Sequence, residues 1–197
     1  MSKFEQLDML LQQNNGYLRT ADAVAAGISK SMLAVYVKEN AMERVAHGLY
    51  MSIDTWVDDM YVLQVRYPKA IFSHETALFL LKAAEREPIR FALTFEAGAN
   101  GKALSDQGVR VHKVKKELFA LGLISIYSPA GHALRSYDME RTICDLVRSR
   151  TAIETQVLQE AIKGYARRKD KNIPRLMRYA KAFSIEKIIR QYMEVLL

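Results

Sequence analysis

Two breaks constrain this chain more than any other feature. Asn14-Asn15-Gly16 and Gly27 cut the first 40 residues into three helical pieces, each too short to be stable alone, so they must pack on one another. Phe4, Leu7, Met9, Leu10 and Leu11 recur at helical spacing with Gln6, Asp8 and Gln12 between them, which predicts an amphipathic helix. Asn and Gly tolerate the left-handed conformation that ends it. Tyr17 and Leu18 are short and extended. Thr20 is placed to cap a second helix over 21–26, and Ser29 a third running to about Asn40. Beyond it, Arg44 to Ala46 and Leu49 to Ile53 flank His47-Gly48 as two short strands around a glycine turn.

Three helices and a small hairpin, with a short glycine-bearing turn between helices two and three, is the order of a winged helix-turn-helix. On the third helix, Ile28, Met32, Leu33, Tyr36 and Val37 fall on one side and are expected inside. Lys30, Ser31, Ala34, Val35 and Lys38 fall on the other, a small, cationic face suited to a major groove. A solvated face that binds nothing is the alternative. Charge does not decide between them. Residues 1–52 hold five cations (Lys3, Arg19, Lys30, Lys38, Arg44) and five anions (Glu5, Asp8, Asp22, Glu39, Glu43). The chain's net charge of +7 therefore lies downstream. Phosphate binding then requires either that the N-terminal cations share one face or that the rest of the chain contributes.

The second region is predicted to open with a helix from Thr55 to about Tyr67, followed by one capped at Ser73. Ile89 to Phe95, Val109 to Val114 and Leu123 to Tyr127 read as strands. Gly98-Ala99-Asn100-Gly101 is expected to be a hairpin loop between the first two. Asp138 is placed to cap a helix over 139–148. Three more helices follow, over 153–165, over 173–182 with Pro174 in its first turn, and over 185–197 capped by Ser184. The expected fold class is α+β, with an N-terminal winged helix-turn-helix (1–53) and a larger mixed α/β domain (54–197) that has a small sheet and a helical C-terminus.

Nothing in the pattern nominates catalysis. His74-Glu75 lacks the second histidine a zinc-protease helix needs, and His47, His74, His112 and His132 are scattered. Asp58-Asp59 reads as a solvated acidic face. Cys144, the single cysteine, reads as a small buried hydrophobe and excludes an intramolecular disulfide. No Gly-rich loop with Lys and Ser or Thr is present to hold phosphates. No enzyme activity, metal or cofactor is expected. The first residues lack a basic-then-apolar leader and no apolar run approaches a membrane span, so a soluble, cytoplasmic protein without a membrane partner is expected. From Arg150 to Leu197, eleven cations face five anions. The densest clusters are Arg167, Arg168, Lys169 and Lys171, and Lys113, Lys115 and Lys116. They read either as solvated surface or as a site for nucleic acid or an acidic partner.

Several segments together resemble a known family. Gly16-Tyr17-Leu18-Arg19-Thr20, Ala26-Gly27-Ile28-Ser29, Glu43-Arg44-Val45 and Gly48-Leu49-Tyr50 are similar in order and spacing to the N-terminal domain of AbiEi-type antitoxins. Met42 stands where leucine is usual in that family. Residues 71–78 and the Glu140-Arg141-Thr142…Asp145 helix resemble its later segments. The resemblance implies a bacterial antitoxin of a type IV (abortive infection, phage defence) toxin–antitoxin system. Its winged helix would bind double-stranded DNA at inverted repeats in its own promoter and repress transcription. Its C-terminal domain would oppose a nucleotidyltransferase-like toxin without a stable complex. Thr20, Ser29, Lys30, Ser31, Lys38, Arg44 and His47 would then be the DNA-binding residues. For the antitoxin surface, charge alone points to Lys113, Lys115, Lys116, Arg167, Arg168, Lys169 and Lys171. The alternative is a protein-interaction module whose winged helix is scaffold and whose basic surface holds a partner.

Overall fold

The computed structural model describes residues 1–99 and 101–196; Asn100, in the expected glycine-rich loop, and Leu197, in the last expected helix, lie outside the described residues. The fold is mixed α+β, with N-terminal helices and a small sheet, a larger sheet, and a helical C-terminus. The chain forms two compact units. One comprises residues 1–68 with 127–134, the other 69–126 with 135–197.

In the first unit, α1 (Lys3–Gln13) starts at Ser2, which exchanges reciprocal hydrogen bonds with Glu5. This satisfies two backbone donors at the helix start. The helix ends where Asn15 and Gly16 take positive φ. Gly16 is required twice over. Its φ is +86°, and a Cβ there would fall 1.9 Å from Thr55 Oγ1. β1 (Tyr17–Arg19), α2 (Thr20–Ala25) and α3 (Lys30–Glu39) follow, then β2 (Glu43–Ala46) and β3 (Leu49–Met51). β3 lies between β1 and β2, antiparallel to both. Leu7, Leu18, Ala23, Ile28, Leu33, Tyr36 and Met42 form the core beneath the three helices. The Tyr36 ring meets Phe4 edge to face, and its hydroxyl donates to Asp8.

Two expectations fail here. Met32 is not inside; it is 37% exposed, because α3 presents only Leu33 and Tyr36 fully to the core. The helix expected from Thr55 is α4 (Asp59–Arg66), and Asp58 is its buried cap rather than part of a solvated face. The Asp58 carboxylate accepts the Tyr61 N–H, the Ser128 hydroxyl at 2.5 Å and His132 Nδ1 at 2.7 Å. Burial alone would raise its pKa, but these hydrogen bonds together hold it below the ordinary carboxylate value. His132 also stacks on Tyr61 and meets Tyr17 edge to face, while its Nε2 faces the Asn14 carbonyl. A histidine and a serine some seventy residues downstream thus become part of the first unit.

The second unit contains β4 (Ile71–Phe72), α5 (His74–Leu80), β5 (Ala92–Glu96), α6 (Lys102–Asp106), β6 (Arg110–Val114) and α7 (Lys116–Phe119). β7 (Leu123–Tyr127) and β8 (Ala133–Tyr137) follow, and the residues joining them belong to the first unit. Strand order is β6-β5-β4-β8-β7. β5 and β6 run parallel, so the glycine-rich segment between them leads into a crossover through α6 and is not a hairpin loop. β4 and β8, too short or too polar to stand out in sequence, complete the centre of the sheet.

Four helices end the chain: α8 (Met139–Arg148), α9 (Thr155–Arg167), α10 (Ile173–Ala182) and α11 (Glu186–Leu196). Asp138 caps α8 by accepting the Arg141 N–H, and Pro174 sits in the first turn of α10. Ile143, Leu146, Val147, Leu158, Ile162, Leu176 and Ile189 make the core among these helices. Cys144 is buried there, and its thiol pKa is pushed far up by burial. Among the described residues no helix is long and apolar enough to cross a membrane.

Candidate nucleic-acid interface

α3 begins at Ser29, whose Oγ accepts the Met32 N–H at 3.2 Å and lies 3.0 Å from Ser31 Oγ. The reason for this start is local, since Gly27 takes positive φ and Ile28 turns into the core. At 100° per residue, the direction opposite Leu33 and Tyr36 is occupied by Ser31, Val35 and Lys38. All three are exposed, as are Lys30 and Ala34. The first turn of α3 contains no acidic residue. α1, α2 and α4 each carry one there, as the positive end of the helix dipole favours. Lys30 instead adds positive charge to an already positive end.

The expected contact residues fall into two groups. Ser29, Lys30, Ser31 and Lys38 share α3 and its cap. Thr20, Arg44 and His47 gather at the β2–β3 turn. The Arg44 guanidinium donates to His47 Nδ1 at 3.0 Å, and both side chains are exposed. Helix α2 begins one residue earlier than expected, so Thr20 is inside the helix and Arg19 precedes it without a side-chain cap. The Thr20 N–H donates to the Gly48 carbonyl at 2.8 Å, which ties the start of α2 to the turn. That amide is spent on the fold, and the half-buried hydroxyl beside Gly48 is what Thr20 has left to offer.

The neutral charge balance of the first fifty residues hides a segregation. Glu5 is engaged with the Ser2 cap and Asp8 with Tyr36. Lys38 stands on the outward line of α3, and Lys30, exposed at the first position of the helix, lies to one side of it.

In the second unit, Lys113 is exposed on β6, while Lys115 and Lys116 are exposed at the start of α7. Arg167 closes α9. Arg168 binds Asp170 through two hydrogen bonds of 2.7 and 2.9 Å, and Lys171 donates to the Arg168 carbonyl. The 167–171 run is thus partly self-neutralised, which a count of cations overstates.

The residues with catalytic potential have structural work. His74 is buried at positive φ, bonded to Ser73 and Ser149 and stacked on His112 at 3.5 Å. Burial, His112 and the nearby arginines depress its pKa well below the ordinary histidine value. Glu75 pairs with Arg110. Asp145 is fully buried against Arg141 at 2.9 Å. Asp138 caps α8 and accepts from Tyr179. Among the described residues no group of three or more His, Cys, Asp or Glu is arranged to hold a metal ion.

Sequence reading missed the Asp58–Ser128–His132 cluster. No local spacing announces it, because four of the five strands of the larger sheet lie between Asp58 and Ser128 in the chain.

The three-helix unit thus presents an exposed helix face carrying Lys30 and Lys38 and a hairpin turn carrying Arg44 and His47. Residues 5–53 match the family model described as transcriptional regulator, AbiEi antitoxin. The match supports an antitoxin and DNA-binding regulator role. No curated protein matches the chain. Among solved structures, the RV2827C protein from Mycobacterium tuberculosis is similar in fold, with a TM-score of 0.61 at 12% identity, over 98% of this chain and 77% of that one.

Proposed function

We propose that this protein is the antitoxin of a bacterial type IV toxin–antitoxin system and represses its own operon. On this reading the first unit is a winged helix-turn-helix. α3 lies in the major groove of an inverted repeat, and the β2–β3 turn reaches the backbone or minor groove with Arg44 and His47. Lys30 and Lys38 neutralise phosphates at the two ends of α3, and Ser31 and Val35 approach the base edges between them. The second unit opposes a nucleotidyltransferase-like toxin without a stable complex, and the protein acts in the cytoplasm by binding rather than by turnover.

The observation that carries the DNA-binding part is the outward face of α3. Its lysines are exposed, its first turn has no acid, and its side chains are short enough for the helix backbone to enter a groove. The family match over the same residues supports it. The test is a fluorescence-anisotropy titration of the full chain against duplex from upstream of its own reading frame, beside a shuffled duplex. The reading expects a preference of at least about a thousandfold at physiological salt. Equal affinity for both duplexes would remove the autorepressor role.

A second reading, a partner-binding module, is favoured by one feature. An open cleft of about 710 Å³ is lined by Ile162, Ile188 and Tyr192 with Arg150 and Lys163 at its sides. Failure of the protein to be retained by its promoter duplex would leave that reading in possession.

A further inference from the structure

We infer that α3 reads its operator through thymine methyl groups, with Val35 as the central contact and Met32 beside it. The inference rests on the DNA-binding reading above and names the base chemistry that reading leaves open.

Val35 is 47% exposed and Met32 37% exposed, and Ala34 is exposed next to them. Val35 lies on the outward line of α3 between Ser31 and Lys38, at the place a groove-binding helix presents to base edges. A β-branched residue is a poor choice for an exposed helical position on propensity alone. Val35 is not among the fully buried residues of the helix, which are Leu33 and Tyr36.

The rest of the helix narrows what can be read. Between Lys30 and Glu39 there is no Arg, Asn or Gln. Three of the four side-chain types that make bidentate contacts to guanine or adenine are therefore missing, and Lys is the one cationic reader left. Asn40, just beyond, spends its amide on the Tyr36 carbonyl at 2.9 Å. Ser31 shares its hydroxyl with Ser29. The remaining polar groups able to extend outward are Glu39, the last residue of the helix, and the two lysines, at its first position and in its last turn, where phosphates flank the groove.

An apolar side chain in the major groove has one complementary group among the four bases, the C5 methyl of thymine. The ligand class is therefore a duplex with thymines at the one or two base pairs under Val35 and Met32.

The probe is duplex selected by the full chain from a random-sequence pool, then resynthesised with deoxyuridine for each thymine in turn. Deoxyuridine keeps the base pair and removes only the methyl. Burial of one methyl predicts a loss of about fourfold at each contacted thymine. Val35→Ala, which favours the helix, is expected to bind the thymine duplex several-fold more weakly. It is also expected to lose most of its sensitivity to deoxyuridine at one position. Deoxyuridine without effect at every position would overturn the inference and leave DNA binding intact. So would undiminished sensitivity in both Val35→Ala and Met32→Ala. Failure to enrich any duplex would overturn the DNA-binding reading itself, and this inference with it.

Discussion

α3 and α8 are both ten-residue helices, and both start at a side chain that accepts the third backbone N–H. They differ in what surrounds them. α3 fully buries two residues, Leu33 and Tyr36, and leaves its cations in solvent. α8 buries nine, including Glu140, Arg141 and Asp145. A cap therefore tells where a helix begins, while burial decides whether its charges hold the fold or meet a partner. The Arg141 guanidinium is fully enclosed. Nε pairs with Asp145, Nη1 donates to the Leu118 and Leu121 carbonyls, and the group stacks on Tyr137 and Phe183 at 4.0 and 4.4 Å. It fixes the segment after α7 against α8, so the charged motif in this helix is structural.

The largest effect should come from breaking that buried pair. Arg141→Ala strands Asp145 with only Arg148 at 3.4 Å. Denaturant unfolding should show a loss of about 3–5 kcal/mol. Duplex affinity, measured where the variant is still folded, should be unchanged. An equal fall in affinity at constant fold would place α8 in the interface and erase the contrast with α3.

Asp58→Ala ranks next. It orphans the Ser128 hydroxyl, His132 Nδ1 and the Tyr61 N–H, at about 1–3 kcal/mol. Probes in the first unit should report this loss.

Acid sharpens the same comparison. The folded pKa of Asp58 is below its unfolded value, so its stabilisation is present above the ordinary carboxylate pKa and is lost as pH falls through the folded one. Asp138 and Asp145 have the opposite sign, because burial raises their folded pKa despite the partners that lower it. Their contribution grows as pH falls. NMR signals of Tyr17 and Tyr61 should therefore lose their folded-state dispersion before those of Tyr137 and Tyr165 on acidification below the carboxylate range. The reverse order would contradict the assignment of the Asp58 cluster as the clasp of the first unit.

Ser29→Ala is the smallest of these stability changes, about 1 kcal/mol from loss of the Met32 N–H bond. It should shift the thermal midpoint with little effect on duplex affinity. A large loss of affinity at unchanged stability would instead make Ser29 a direct contact.

What the sequence made legible follows the same division. α1, α3, α8 and α10 could be read closely because their caps and breakers are local: Ser2 apart, Asn14-Asn15-Gly16, Ser29, Asp138 and Pro174 each act within a turn of their own position. The lysines of α3 were equally visible, since 3.6-residue spacing separates them from Leu33 and Tyr36. Long-range features were not. Asp58 looks like an exposed acid until Ser128 and His132 are brought to it, and His74 and His112 become neighbours only through the sheet. The parallel pairing of β5 with β6 was hidden for the same reason, because a glycine-rich loop fits a hairpin as well as a crossover. Met32 shows the limit of periodicity at the edge of a stripe, where a rotation of one residue separates core from solvent.

On the DNA-binding reading, the exposed face of α3, rather than the basic clusters of the second unit, neutralises operator phosphates. The salt dependence of duplex binding tests it directly, comparing Lys30→Ala/Lys38→Ala with Lys113→Ala/Lys115→Ala/Lys116→Ala. The α3 pair is expected to lower the slope of log affinity against log salt by about two, with the fold intact, and the triple variant to leave it nearly unchanged. A slope untouched by the α3 pair and reduced by the β6–α7 lysines would contradict it.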